Sequence, residues 1–123
     1  MRLLLDTHVF LWWVRNDPRL GDDFRSQITD WGNEVFVSAA SAWEIEIKSG
    51  IGKLKIDPDW KRSVSASGFE WLPILPQHTE HLRNLPPIHR DPFDRMLVAQ
   101  SQCEQMALLS NDSKVKAYLE LTP

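Results

Sequence analysis

Apolar residues in this chain fall into short unbroken runs, separated by longer stretches in which they recur every three or four positions. Arg2-Leu3-Leu4-Leu5, Glu34-Val35-Phe36-Val37 and Met106-Ala107-Leu108-Leu109-Ser110 are runs of the first kind. An apolar run without polar alternation reads as a strand covered on both faces, as in parallel sheets flanked by helices. A strand is therefore expected over 2–5, then a helix capped by Thr7 that runs to about Trp13 and is ended by Asp17-Pro18. Asp22 to Trp31 carries a weaker helical pattern, and Gly32-Asn33 turns the chain into a strand over 34–37. Ser38 caps a helix from Ala39 to Lys48, which Gly50 stops.

The second half continues the alternation. Asp57-Pro58 pairs an N-cap with proline at the first helical position, predicting a helix to about Ala66. Phe69 to Leu75 reads as a strand that Pro73, lacking an amide donor, pushes to a sheet edge. A helix is expected from Gln77 to Leu85, ended by Pro86-Pro87, and Asp91-Pro92 opens the strongest helix, reaching about Gln105. A strand over 106–110 and a helix from Ser113 to Leu119 complete the order. Alternating strands and helices of this kind predict a three-layer α/β/α sandwich with a mainly parallel central sheet, formed by residues 1–123 as a single domain.

Composition narrows the class. At 123 residues with 42% hydrophobic and 25% charged content, the chain can build an ordinary globular core. It has no apolar run near the roughly 20 residues of a membrane span. The single Cys103 excludes an intrachain disulfide and a thiolate zinc cluster, and a cytoplasmic location is the expectation. The net charge of −3 is the sum of 14 basic and 17 acidic residues. It argues against a nucleic-acid partner only until the distribution of the acids is considered.

Asp6 ends the first apolar run, and Asp112 follows the last. Glu44 lies early in the helix after the second run, and Asp94 lies in the first turn of the Asp91-Pro92 helix. In a parallel α/β sheet these strand ends and helix starts gather at one edge, where ligands bind. Each acid has a structural alternative: Asp6 and Asp112 as caps, Asp94 as a favourable charge at a helix N-terminus, Glu44 paired with Lys48 or Ser41. Helical phase favours a common role. Asp94 projects between Leu97 and Val98, and Glu44 flanks the stripe Ala40-Trp43-Ile47, so both edge a core-facing surface. Oxygen-only ligands suit Mg²⁺, with Mn²⁺ as the substitute. Such a centre activates water against a phosphodiester, with Glu44 or Asp94 as proton acceptor.

Leu4-Leu5-Asp6-Thr7-His8, Ser38-Ala39-Ala40-Ser41-Ala42-Trp43-Glu44-Ile45 and His89-Arg90-Asp91-Pro92-Phe93-Asp94-Arg95 resemble the blocks of PIN domains, in the order and length of VapC-type toxins of bacterial toxin–antitoxin pairs. The resemblance implies an Mg²⁺-dependent endoribonuclease with an RNA substrate, a cognate antitoxin that silences it, and a homodimer. Its metal acids map onto Asp6, Glu44, Asp94 and Asp112. Ser110 stands where that family usually has threonine, and Asn111 shares the polar surroundings of Asp112. Glu46 stands where a small apolar residue is expected; lying on another helical face than Glu44, it reads as solvent-exposed or salt-bridged.

Arg90, Arg95 and Lys48 are the candidate contacts to RNA phosphates, with His89 and Lys53 on the same rim. Trp12 and Trp13 point about 100° apart on a helix, so one of them is free to line a groove for an antitoxin segment or a second subunit. Two rivals remain. A catalytically silent RNA- or protein-binding module would keep the fold, and a receiver-like signalling domain would need paired acids after the first strand, where Asp6 is followed by Thr7.

Overall fold

The computed structural model describes residues 1–121; the last two residues of the expected 1–123 domain lie outside it. Strands β1 (Arg2–Leu5), β2 (Glu34–Ser38), β3 (Glu70–Leu72) and β4 (Ala107–Leu109) form one sheet in the order β3-β2-β1-β4, with every pairing parallel. Helices α1 (Thr7–Val14), α2 (Asp22–Thr29), α3 (Ala39–Gly50), α4 (Arg62–Ala66), α5 (Pro76–His81), α6 (Pro92–Glu104) and α7 (Ser113–Glu120) link the strands and cover both faces. This is the expected three-layer α/β/α sandwich. Among the described residues no helix is long and apolar enough to cross a membrane.

Successive side chains of a strand point to opposite faces, and here both faces are apolar. Leu3, Leu5, Val35, Val37 and Leu109 enter one core with Val9 and Phe10 of α1, Ile28 of α2 and Val64 of α4. Leu4, Phe36 and Leu108 enter the other with Leu97 and Val98 of α6 and Val115 and Tyr118 of α7. The pairing Leu3↔Val35, Leu4↔Phe36 and Leu4↔Leu108 keeps the two sets apart. A one-residue slip would exchange every side chain between the cores, so packing on both sides fixes the register.

Several elements differ from the expectation, each for a local reason. Asp6, not Thr7, caps α1: its backbone is extended at ψ 159° and its Oδ1 accepts from the His8 and Val9 amides at 2.7 and 3.2 Å. Thr7 begins the helix, and its hydroxyl donates to Ser41 Oγ at 2.9 Å, joining α1 to α3. Asp57 Oδ1 accepts only the Asp59 amide at 2.8 Å, closing a turn, and the helix starts at Arg62. β3 is confined to three residues at the sheet edge, between Gly68 at φ +77° and the donorless Pro73. The helix expected over 77–85 begins at Pro76 and tightens into a 3₁₀ turn at Leu82–Asn84.

The larger correction concerns α3. Ala40 packs into one core and Ile45 into the other, so the helix straddles the end of the sheet. That orientation buries Ala40, Ser41, Glu44 and Ile45, and leaves Trp43 and Ile47 60% and 41% exposed. The tryptophans are redistributed too. Trp60 is buried, Trp31 is fully exposed, and Trp12 and Trp13 are half-buried beneath the guanidinium groups of Arg19 and Arg25. Of these two helices, it is therefore α3 and not α1 that exposes large apolar side chains.

The segment leading into α6 is anchored by one hydroxyl. Tyr118 Oη donates to Pro86 O at 2.7 Å and accepts from the Ile88 and His89 amides at 3.1 and 3.0 Å. Its ring is buried in the second core. Tyr118→Phe keeps the ring and strips the His89 amide of its acceptor, while the Ile88 amide keeps Pro86 O at 2.9 Å. It is expected to lower unfolding stability by about 1–3 kcal/mol in denaturant titrations. Hydrogen exchange of the His89 amide should accelerate by more than the rest of the chain.

Candidate metal centre

Parallel pairing of β1 with β4 brings the ends of the two strands together, and the Asp6 amide donates to Leu109 O at 3.1 Å. Just beyond, the Ser110 hydroxyl donates to Asp6 Oδ2 at 2.6 Å and accepts from the Asp112 amide at 3.1 Å. Asp112 caps α7, its Oδ1 accepting from Lys114 and Val115 at 2.8 and 3.1 Å. Asp6 and Asp112 are thus caps, as their positions allowed. Capping occupies one oxygen of each, however. Asp6 Oδ2 is held by Ser110, and Asp112 Oδ2 lies 3.9 Å from His89 Nε2.

Asp94 stands in the first turn of α6, which Asp91 caps through bonds of 2.8 and 3.0 Å to the amides of Phe93 and Asp94. Its Oδ2 lies 2.9 Å from His89 Nε2. Burial, followed by the Asp91 charge, drives the Asp94 carboxyl up to about 6, with Asp6 and Glu44 adding to the rise and the His89 bond opposing it. Negative charge from three elements, the starts of α6 and α1 and the helix α3, therefore meets at Asp94. Glu44 is 2% exposed: Oε2 lies 2.5 Å from Lys48 Nζ, while Oε1 is buried with no hydrogen-bond partner. Lys48 is held in its charged form chiefly by that bond, and it also feels Asp91 and Asp94.

The candidate residues are not placed alike. Asp6, Glu44 and Asp94 share one electrostatic neighbourhood, and Asp112 joins it through His89. Ser110 is buried between Asp6 and Asp112, whereas Asn111 is exposed and faces a groove with Leu20 and Phe24. Arg90 is exposed beside the site. Arg95 is turned inward instead, donating to Pro86 O, Tyr118 Oη and Leu82 O at 3.2, 2.8 and 3.3 Å, so its donors secure the loop before α6. Glu46 pairs with Lys61 and accepts from Trp60, as its helical face implied. His89 is closer to the centre than its rim position suggested: one nitrogen of its ring lies with Asp94 and Asp112 oxygens in a group spanning 4.8 Å. Its place depends on the turn between the Tyr118 anchor and the Asp91 cap, which no periodicity encodes.

A hard divalent cation fits this donor set. An unpartnered buried Glu44 oxygen and a carboxyl whose ionisation is opposed by three other acids are both relieved by positive charge among them. The donors are mainly carboxylate oxygens, the chemistry of Mg²⁺ and Mn²⁺.

The chain belongs to the PIN domain family, whose family model matches residues 3–120. Among solved structures it shares its fold with VapBC2 from Rickettsia felis bound to a DNA fragment from their promoter. That match has a TM-score of 0.70 at 16% sequence identity, covering 96% of this chain and 93% of the other. Comparison with curated proteins finds no match.

Burial and the neighbouring acids raise the Asp94 carboxyl from its ordinary value of 3.8 to about 6, so the folded state holds more protons than the unfolded chain between those values. The carboxyl's contribution to stability therefore falls as pH rises through that window. In EDTA, the melting temperature of Asp94→Asn relative to the unchanged protein should rise from pH 4 to pH 7. A constant difference across that range would mean that neither burial nor the other acids oppose ionisation of Asp94.

Proposed function

We propose that the protein is a divalent-metal-dependent endoribonuclease and the toxin of a toxin–antitoxin pair. Asp94 carries this reading, because its ionisation is opposed first by burial and then by Asp91, Asp6 and Glu44 together. Acids on separate elements are not brought so close for capping alone. Asp6, Glu44 and Asp94 would hold Mg²⁺ or Mn²⁺, with Asp112 completing the set. When bound, the cation polarises the scissile phosphate and lowers the pKa of a water. Asp6 is held in position by two amides and the Ser110 hydroxyl. Glu44, through its free Oε1, or Asp94 accepts the proton of the attacking water. Arg90 and Lys48 face the phosphates of the RNA.

Resemblance to VapC-type toxins supports the antitoxin, the homodimer and a cytoplasmic setting, and the fold shared with VapBC2 supports the antitoxin. The exposed row Trp43 and Ile47 of α3 and Ile51 at its C-cap, spaced four residues apart, supports an apolar antitoxin segment as the occupant.

Structured RNA incubated with the purified protein should be cut in Mg²⁺ and left intact in EDTA. Asp94→Asn should slow cutting by at least about 100-fold, the order of effect expected when a group stabilising the reacting centre is removed. Equal cutting by the variant would place the chemistry elsewhere. If the unchanged protein binds RNA without cutting it in Mg²⁺ or Mn²⁺, the silent binding module is the better reading.

A further inference from the structure

Lys48 has a place that a surface ion pair does not explain. Glu–Lys pairs at i, i+4 on an exposed helix face add a few tenths of a kcal/mol. Here the Glu44 side chain is 3% exposed, the Lys48 side chain 39%, and the contact is 2.5 Å. The ammonium also feels Asp91 and Asp94, so it lies in the field of the cluster and not against Glu44 alone. Glu44 keeps its second oxygen buried and unpartnered. An ammonium and a divalent cation therefore seek the same carboxylate. The Lys48 side chain, 39% exposed, can swing outward on its flexible stem without burying its charge.

We propose that Lys48 is a tethered counter-ion of the metal centre, holding Glu44 in the metal-free protein and competing with the divalent cation for that carboxylate. Displaced by the cation, it turns its charge to the RNA phosphate. The inference rests on the metal-nuclease reading. It goes beyond that reading by making Lys48 a determinant of metal affinity. A merely structural salt bridge would behave differently: its removal would weaken the fold and leave metal affinity unchanged or lower.

Mn²⁺ binding to the full chain, followed by the loss of the free-ion electron paramagnetic resonance signal, separates these cases. Lys48→Met and Lys48→Gln remove a positive charge close to the ion and should bind Mn²⁺ on the order of tenfold more tightly. Lys48→Arg should stay within about threefold of the unchanged protein, since its charge persists. At saturating Mn²⁺, RNA cleavage by Lys48→Met should fall while that of Lys48→Arg is largely kept. Metal affinity and cleavage then move in opposite directions. Unchanged or weaker Mn²⁺ binding by both neutral variants, with normal melting curves, overturns the proposal while leaving the metal centre intact. If the unchanged protein also leaves the free-ion signal untouched, the centre itself is absent and the role of Lys48 falls with it.

Discussion

Carboxylates confined at one end of a parallel sheet repel one another, and the rest of this structure is arranged around that repulsion. Adjacent parallel strands β1 and β4 end side by side, so the residues just beyond them, Asp6 and Ser110-Asn111-Asp112, cannot avoid each other. The helix starts next to those ends add Asp91 and Asp94, and α3 adds Glu44. Backbone amides answer part of the charge through the caps of α1, α6 and α7. Each cap engages one oxygen of its aspartate, so the helix starts both restrain the acids and leave donor capacity over. Lys48 and His89 answer another part. The unanswered charge is concentrated at Glu44 Oε1 and at the Asp94 carboxyl.

The apolar architecture makes this concentration possible. Two cores hold the sheet in register from both sides, and α3 crosses its end with one residue in each core. Glu44 lies on the helix between those two contacts and is buried as a result. The same crossing turns Trp43 and Ile47 outward. One placement thus yields both a buried ligand candidate and an apolar surface near it. On the opposite side of the site, Tyr118 fixes the segment that carries His89, and Arg95 reinforces it from α6.

The strands, the helix order and the acids were legible because they depend on local rules. Apolar runs mark buried strands, and Asp-Pro and Ser mark helix starts. The position of an acid just after a strand is set by the topology itself. The features that were not legible depend on how elements rotate against one another. Trp43 belongs to the apolar stripe of α3 by periodicity, yet the crossing of the sheet's end turns it to solvent. Arg95 looked like a phosphate contact because of its neighbours, but the carbonyls of Leu82 and Pro86 and the Tyr118 hydroxyl lie within its reach. His89 is brought to Asp94 and Asp112 by a turn whose shape is set by Tyr118, 29 residues away. Asp57-Pro58 has the letters of a helix start, but the chain first makes a turn there, and the helix begins only at Arg62.

That the acids form a divalent-cation centre is tested most directly by anomalous diffraction from a crystal soaked in Mn²⁺. An anomalous peak among the carboxylates of Asp6, Glu44 and Asp94, with Lys48 Nζ withdrawn from Glu44, is the result predicted. A crystal at saturating Mn²⁺ with no peak there, and the Lys48–Glu44 contact intact, would contradict it.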